Sequence, residues 1–272
     1  MRLAISVFLL VTASSGFAQT NHPALVRMQE KAAAVEYGAY RITASEQYPY
    51  SKDTIFYSGH CAFSRFEHFD GKSGIRYEVE METRYPTQTI HKRSVFDGRL
   101  KHDLHSDTLV LIYDSRELGD EYVLRGLQHF FFIPLLLHPD QLKKYLGPDK
   151  LLGTPPYQTL GDTTLGEIPC TLVGADWPLD SAELNWQHIR FGISKRTGLP
   201  VYFSHVTETR SEYHQNAPQK HRLEIRVEDW SPAQPINSFY MDWPGLPPTF
   251  EVRHFHDCYH RELLRERNQP DL

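Results

Sequence analysis

The chain lacks most of what marks an enzyme or a redox protein. Its 272 residues hold three cysteines, Cys61, Cys170 and Cys258, and no CxxC pair, which excludes the usual thioredoxin-type centre. In an oxidising compartment three thiols allow at most one disulfide and leave one over. Long hydrophobic runs are missing too: the apolar stretch Leu3 to Ala13 is too short for a bilayer core of about 30 Å, and no other segment reads as membrane-spanning. There is no phosphate loop and no GxSxG frame, and no Ser/His/Asp or paired-Glu set stands in a recognisable pattern. No residue can be named as a nucleophile, so the reading is non-enzymatic, with no cofactor. Basic excess is absent as well: 29 Lys and Arg face 34 Asp and Glu, a formal charge of −5. That argues against nucleic acid as a partner, because phosphates call for basic patches. No internal repeat or low-complexity stretch occurs.

What is present begins with Met1-Arg2, the apolar stretch, and small residues ending in Gly16-Phe17-Ala18. This is the pattern of a secretory signal cleaved near Ala18, and the expectation is an exported, periplasmic protein starting at Gln19. No Cys follows the cleavage site, which speaks against a lipid-anchored route. Loss of Arg2 with the signal takes the charge from −5 to −6. Fifteen His make that charge sensitive to pH near about 6.5.

Asn21-His22-Pro23 opens a helix with Leu25, Met28, Ala32 and Val35 on one face, and Gly38 is expected to end it. Strands follow. Tyr40, Ile42 and Ala44 alternate with polar neighbours; Ile55, Tyr57, Cys61 and Phe63 share a face; Ile75, Tyr77, Val79 and Met81 oppose Arg76, Glu78, Glu80 and Glu82. Such alternation marks strands buried on one side and wet on the other. Asp70 to Gly74 and Asp97-Gly98 are turn signals. Further strands are expected at about 90–96, 99–105, 108–113, 157–163, 168–174, 185–194, 199–208, 221–230 and 236–241. Asp176-Trp177 and Asp229-Trp230 read as turn or strand-end residues. About ten strands at this spacing indicate one antiparallel sheet.

One hairpin organises the second half. Ile189, Phe191 and Ile193 alternate with His188, Arg190 and Gly192, and Lys195-Arg196-Thr197-Gly198 supplies a turn with Gly198 at positive φ. Val201 and Phe203 resume the alternation. Between the two sets of strands, Tyr122 to His138 has helical spacing and turns apolar on every side around Pro134, which should kink or break it. A second short helix is expected over Pro139 to Tyr145. This insert reads either as plain core or as a lid over a curved sheet, because two helices placed mid-sheet have few other surfaces to bury.

With these features the chain resembles the LolA-type periplasmic lipoprotein carriers, in the divergent form of exported Bacteroidetes-like proteins. The resemblance rests on the signal, the first helix, Tyr57-Ser58-Gly59 with Arg65 beyond, and Val95-Phe96-Asp97-Gly98. The helical insert and Ile193-Ser194-Lys195-Arg196-Thr197-Gly198-Leu199-Pro200-Val201 complete it, over residues 22–242. It implies a mainly β fold: an open antiparallel half-barrel with an N-terminal helix and a central helical lid, holding acyl chains. Family carriers govern lid opening with an early-strand Arg, and Arg65 is the nearest counterpart, followed here by Phe66 rather than Pro.

The expected ligand-binding residues are Tyr77, Val79, Met81, Ile189, Phe191 and Ile193 on the inner face. Phe130, Phe131, Ile133, Leu135 and Leu136 form the expected lid, with Arg65 as the gate. Ordinary core packing is the alternative for each apolar residue. Residues 1–18 are expected as signal, 19–243 as the lipid-binding domain and 244–272 as an appended tail. In that tail His254, His256, Cys258 and His260 are zinc- or copper-type ligands. On a strand, side chains two apart diverge too far for one ion to take all four, and a plain polar tail remains the other reading. Three functions follow: a carrier binding a lipoprotein acyl chain or other lipid, an envelope-stress sensor with a membrane partner on the same fold, or a metal-handling protein.

Overall fold

The computed structural model describes residues 22–49, 51–67, 73–105, 109–114, 157–178, 185–210, 219–232 and 251–254. Helix α1 spans Pro23–Ala33 and buries Leu25, Met28 and Ala32. Pro23 suits the first turn, where a missing N–H costs nothing, and the amides of Leu25 and Val26 close on His22 O. The helix ends at Ala33, five residues before the expected stop. Gly38 lies inside the following strand instead, where a large side chain from across the sheet occupies the space a Cβ would need.

Twelve strands follow: β1 (Tyr37–Gln47), β2 (Thr54–Glu67), β3 (Ser73–Arg84), β4 (Thr89–Phe96), β5 (Leu100–His105), β6 (Leu109–Asp114), β7 (Gln158–Leu165), β8 (Ile168–Pro178), β9 (Trp186–Ser194), β10 (Pro200–Thr209), β11 (Gln219–Ser231) and β12 (Glu251–His254). They form one sheet in the order β12-β6-β5-β4-β3-β2-β1-β11-β10-β9-β8-β7. Among the described residues the sheet is open, its two ends not pairing with each other. Eleven strands run antiparallel, and β12 joins β6 in parallel. Part of the segment expected as a tail is therefore a sheet strand. The expected strand at 236–241, the helices at 122–138 and 139–145, and most of the turn at 70–74 lie outside the described residues.

The hairpin of β9 and β10 forms as its sequence implies. Gly198 takes φ 74°, its amide donates to Ser194 O at 2.8 Å, and Ser194 N donates to Leu199 O at 2.9 Å. Burial alternates along β1, so that Tyr40, Ile42 and Ala44 face inward. One cluster joins these to Leu25 and Met28 of α1 and to inward residues of β2, β3, β4, β8, β9, β10 and β11. The face that carries this cluster is the inner face.

The pairing of β1 with β11 contains a bulge. Ala39 pairs with Ser231 and Arg41 with Glu228, so Asp229 and Trp230 together oppose Tyr40. Asp229 has φ 50°, the sole non-glycine residue at positive φ among those described. The extra residue reverses the alternation. Glu228 and Asp229 both bracket Arg41 on the outer face, with Oε2 and Oδ2 each 2.9 Å from its Nη2. Trp230 instead turns inward and stacks on Tyr40 at 6.0 Å.

Candidate functional site

The inner face is built by period-2 alternation in successive strands. On β3, Tyr77 and Val79 are fully buried and Met81 is 8% exposed; on β9, Ile189 and Phe191 are fully buried and Ile193 is 8% exposed. All six expected residues fall in the single inner-face cluster. The two sets are not neighbours in the strand order. Five strand spacings separate β3 from β9, about 24 Å, and Phe63, Ile42, Ile225 and Phe203 fill the interval. Phe191 and Phe203 pack with ring centroids 5.1 Å apart. The expected lid residues Phe130, Phe131, Ile133, Leu135 and Leu136 lie outside the described residues.

Arg65, the expected gate, sits near the end of β2, half-buried. Its Nε donates to Val35 O at 2.9 Å, and its amide donates to Glu36 O at 2.6 Å. It therefore ties down the link between α1 and β1. Its Nη2 is buried with no hydrogen-bond partner, and burial lowers its pKa.

Two polar groups on the same face were not legible in the sequence. The first continues the Tyr77-Val79-Met81 row onto the neighbouring strands. Register places Phe96, Ser94 and Lys92 opposite Tyr77, Val79 and Met81, and Lys101 and Asp103 opposite Phe96 and Ser94. Ser94 Oγ donates to Asp103 Oδ1 at 2.5 Å. Asp103 Oδ2 receives Lys92 Nζ at 2.8 Å and Lys101 Nζ at 3.2 Å. Burial, then the neighbouring Asp103 charge, pushes the Tyr77 hydroxyl well above its ordinary pKa. The second group lies toward the other strand ends. The buried Glu46 carboxylate accepts a hydrogen bond from Tyr57 Oη at 3.0 Å and stands 3.0 Å from His221 Nε2. Burial, followed by the Glu46 charge, raises the Tyr57 pKa.

On the outer face an open groove of 1130 Å³ crosses β4, β3, β2, β1 and β11. Small residues Ala39, Ser58 and Ser231 line it together with charged Arg41, Arg93 and Asp229. The free thiols of Cys61 and Cys170 are both buried. In the expected metal set, His254 is the last residue of β12, while His256, Cys258 and His260 lie outside the described residues. Among the described residues no group of three His, Cys, Asp or Glu could hold a metal ion.

The sequence matches no family model and no curated protein. Solved structures do resemble it. LprF from Mycobacterium bovis matches with a TM-score of 0.41 and 9% identity over 84% of this chain and 96% of that one. Lipoprotein LppX from Mycobacterium tuberculosis matches at 0.40 and 11%, over 79% and 95%. A LolA superfamily protein from Nitrosomonas europaea matches at 0.29 and 8%, over 76% and 91%.

Proposed function

We propose that this chain is a non-enzymatic carrier of the periplasm, holding the hydrocarbon of a lipoprotein or other lipid against the inner face of its sheet. The observation that supports it is the single apolar cluster running from β4 and β3 to β8 on that face. Twelve strands make a sheet about 50 Å wide, while the 11 residues of α1 span about 16 Å. By itself α1 is too short to cover such a face. The apolar insert at 122–145 is the movable cover in this reading, and Arg65, at the link between α1 and β1, is the gate. Burying hydrocarbon there is favourable by about 0.8 kcal/mol for each CH₂, so release requires the cover to open.

Native mass spectrometry of protein purified from periplasm tests the reading, together with uptake of a fluorescent fatty acid by the delipidated protein. Co-purified lipid or saturable uptake is expected. Protein that is lipid-free and takes up no probe would contradict it.

The outer groove supports a second reading, an envelope-stress sensor on the same fold that contacts a membrane partner. Its charged walls, Arg41 and Asp229 with Arg93 and Glu80, are of the kind that orient a polar protein segment. Pull-down with wild-type protein and an Arg93→Glu variant distinguishes the two: a partner lost with the charge reversal favours the sensor.

A further inference from the structure

We propose that Lys92 is the contact for the anionic headgroup, carboxylate or phosphate, of an amphiphile whose hydrocarbon lies on the inner face. Asp103 and Lys101 are its positioning residues. This rests on the lipid-binding reading above and assigns the chemical class of the ligand.

Position is the first argument. Lys92 stands directly opposite Met81 in the β3–β4 register, so its side chain leaves the sheet on the same face as the apolar row. Accessibility is the second. The Lys92 side chain is 15% exposed, whereas those of Lys101 and Asp103 are 1% and 2% exposed. Of the three charged groups, Lys92 is the one an incoming headgroup meets.

Geometry is the third. Asp103 Oδ1 is occupied by Ser94, and its Oδ2 holds both ammonium groups. One carboxylate oxygen shared by two cations aims Lys92 without using all three of its N–H donors. Stability is a poor reason for the arrangement, since well-packed apolar residues in place of a buried ion cluster are often neutral or stabilising. A lysine recognises phosphate and carboxylate alike, as a point charge.

Binding of palmitate, dipalmitoyl phosphatidylglycerol and uncharged hexadecanol to the delipidated full-length protein tests the proposal. Wild type, Lys92→Met and Lys92→Arg are compared, with thermal melts alongside. Wild type should prefer an anionic probe to hexadecanol by about tenfold, the size of one charge-assisted hydrogen bond. Lys92→Met should abolish that preference and Lys92→Arg keep it. Stronger binding of the phospholipid than of palmitate identifies phosphate as the group recognised; the reverse identifies carboxylate.

Binding of neither anionic probe more tightly than hexadecanol by wild type, or an undiminished preference in Lys92→Met, overturns the headgroup assignment and leaves the lipid reading standing. Failure to bind any of the probes overturns both. Should Lys92→Met not fold, Lys92→Gln, which removes the charge and keeps a polar tip, carries the test. It should lose the preference for the anionic probe, and an undiminished preference rejects the proposal.

Discussion

The indole of Trp230 on β11 occupies the space above Gly38 on β1. A Cβ placed on Gly38 would stand 2.2 Å from Cη2 of the ring and within 2.9 Å of two more of its carbons. The ring also packs against Tyr40 and Phe63, with centroids 6.0 and 6.3 Å away. Gly38 is therefore a packing residue: its missing side chain is the slot into which the bulge delivers the indole.

Gly38→Ala should destabilise the protein by about 1–3 kcal/mol, the range for overpacking a filled site. Urea denaturation measures it. In a double-mutant cycle with Trp230→Leu, the alanine should cost much less once the ring is gone. An additive result would show that the contact is not the cause.

Asp229 holds positive φ in an exposed ion pair with Arg41. Glycine tolerates that backbone without strain, and an exposed pair contributes little. Asp229→Gly should thus lie within about 1 kcal/mol of wild type, and Asp229→Val should be clearly destabilised. If the two variants melt together, backbone conformation is not what matters at this position.

Cys61 is fully buried, and burial pushes its thiol pKa up to about 12 although a hydrogen bond with Tyr40 opposes the shift. Thiolate is the reactive form. Iodoacetamide at pH 8 should leave Cys61 unmodified in native protein and label it in urea, as peptide mapping will show. Rapid native labelling would mean that the strand opens.

Asp176 on β8 receives His188 Nδ1 at 2.8 Å and Arg190 Nη2 at 2.7 Å. Burial raises its pKa, but the hydrogen bonds from His188 and Arg190 outweigh this and hold it below the ordinary 3.8. Because the folded value is the lower one, the stabilisation is complete above the unfolded pKa. It is lost as pH falls through the folded one. Asp176→Asn should flatten the loss of stability below about pH 4. An acid limb identical to that of wild type would remove Asp176 from the account.

Much of the sheet is legible from short-range pattern. Ile75 to Met81 alternates without interruption, and β3 forms there. Lys195 to Gly198 carries the residues of a turn, and the β9–β10 hairpin closes on it. Gly38 misleads because glycine after an apolar helical stripe looks like a stop, while its use here depends on a ring from β11. Lys92, Lys101 and Asp103 escape the sequence pattern for a related reason. A charged residue in a strand is read as facing solvent, and only the pairing of β3, β4 and β5 turns these three inward.

Strand character, the sites of several turns and the amphipathic first helix were determined by the sequence alone, since each follows from side-chain spacing and backbone preference within a few residues. Tertiary structure decided which distant segments became neighbours: β1 beside β11, and β12 in parallel beside β6. It also decided which polar groups share the apolar face. Those outcomes depend on how whole faces fit together across more than a hundred residues of chain, and no local window holds that information.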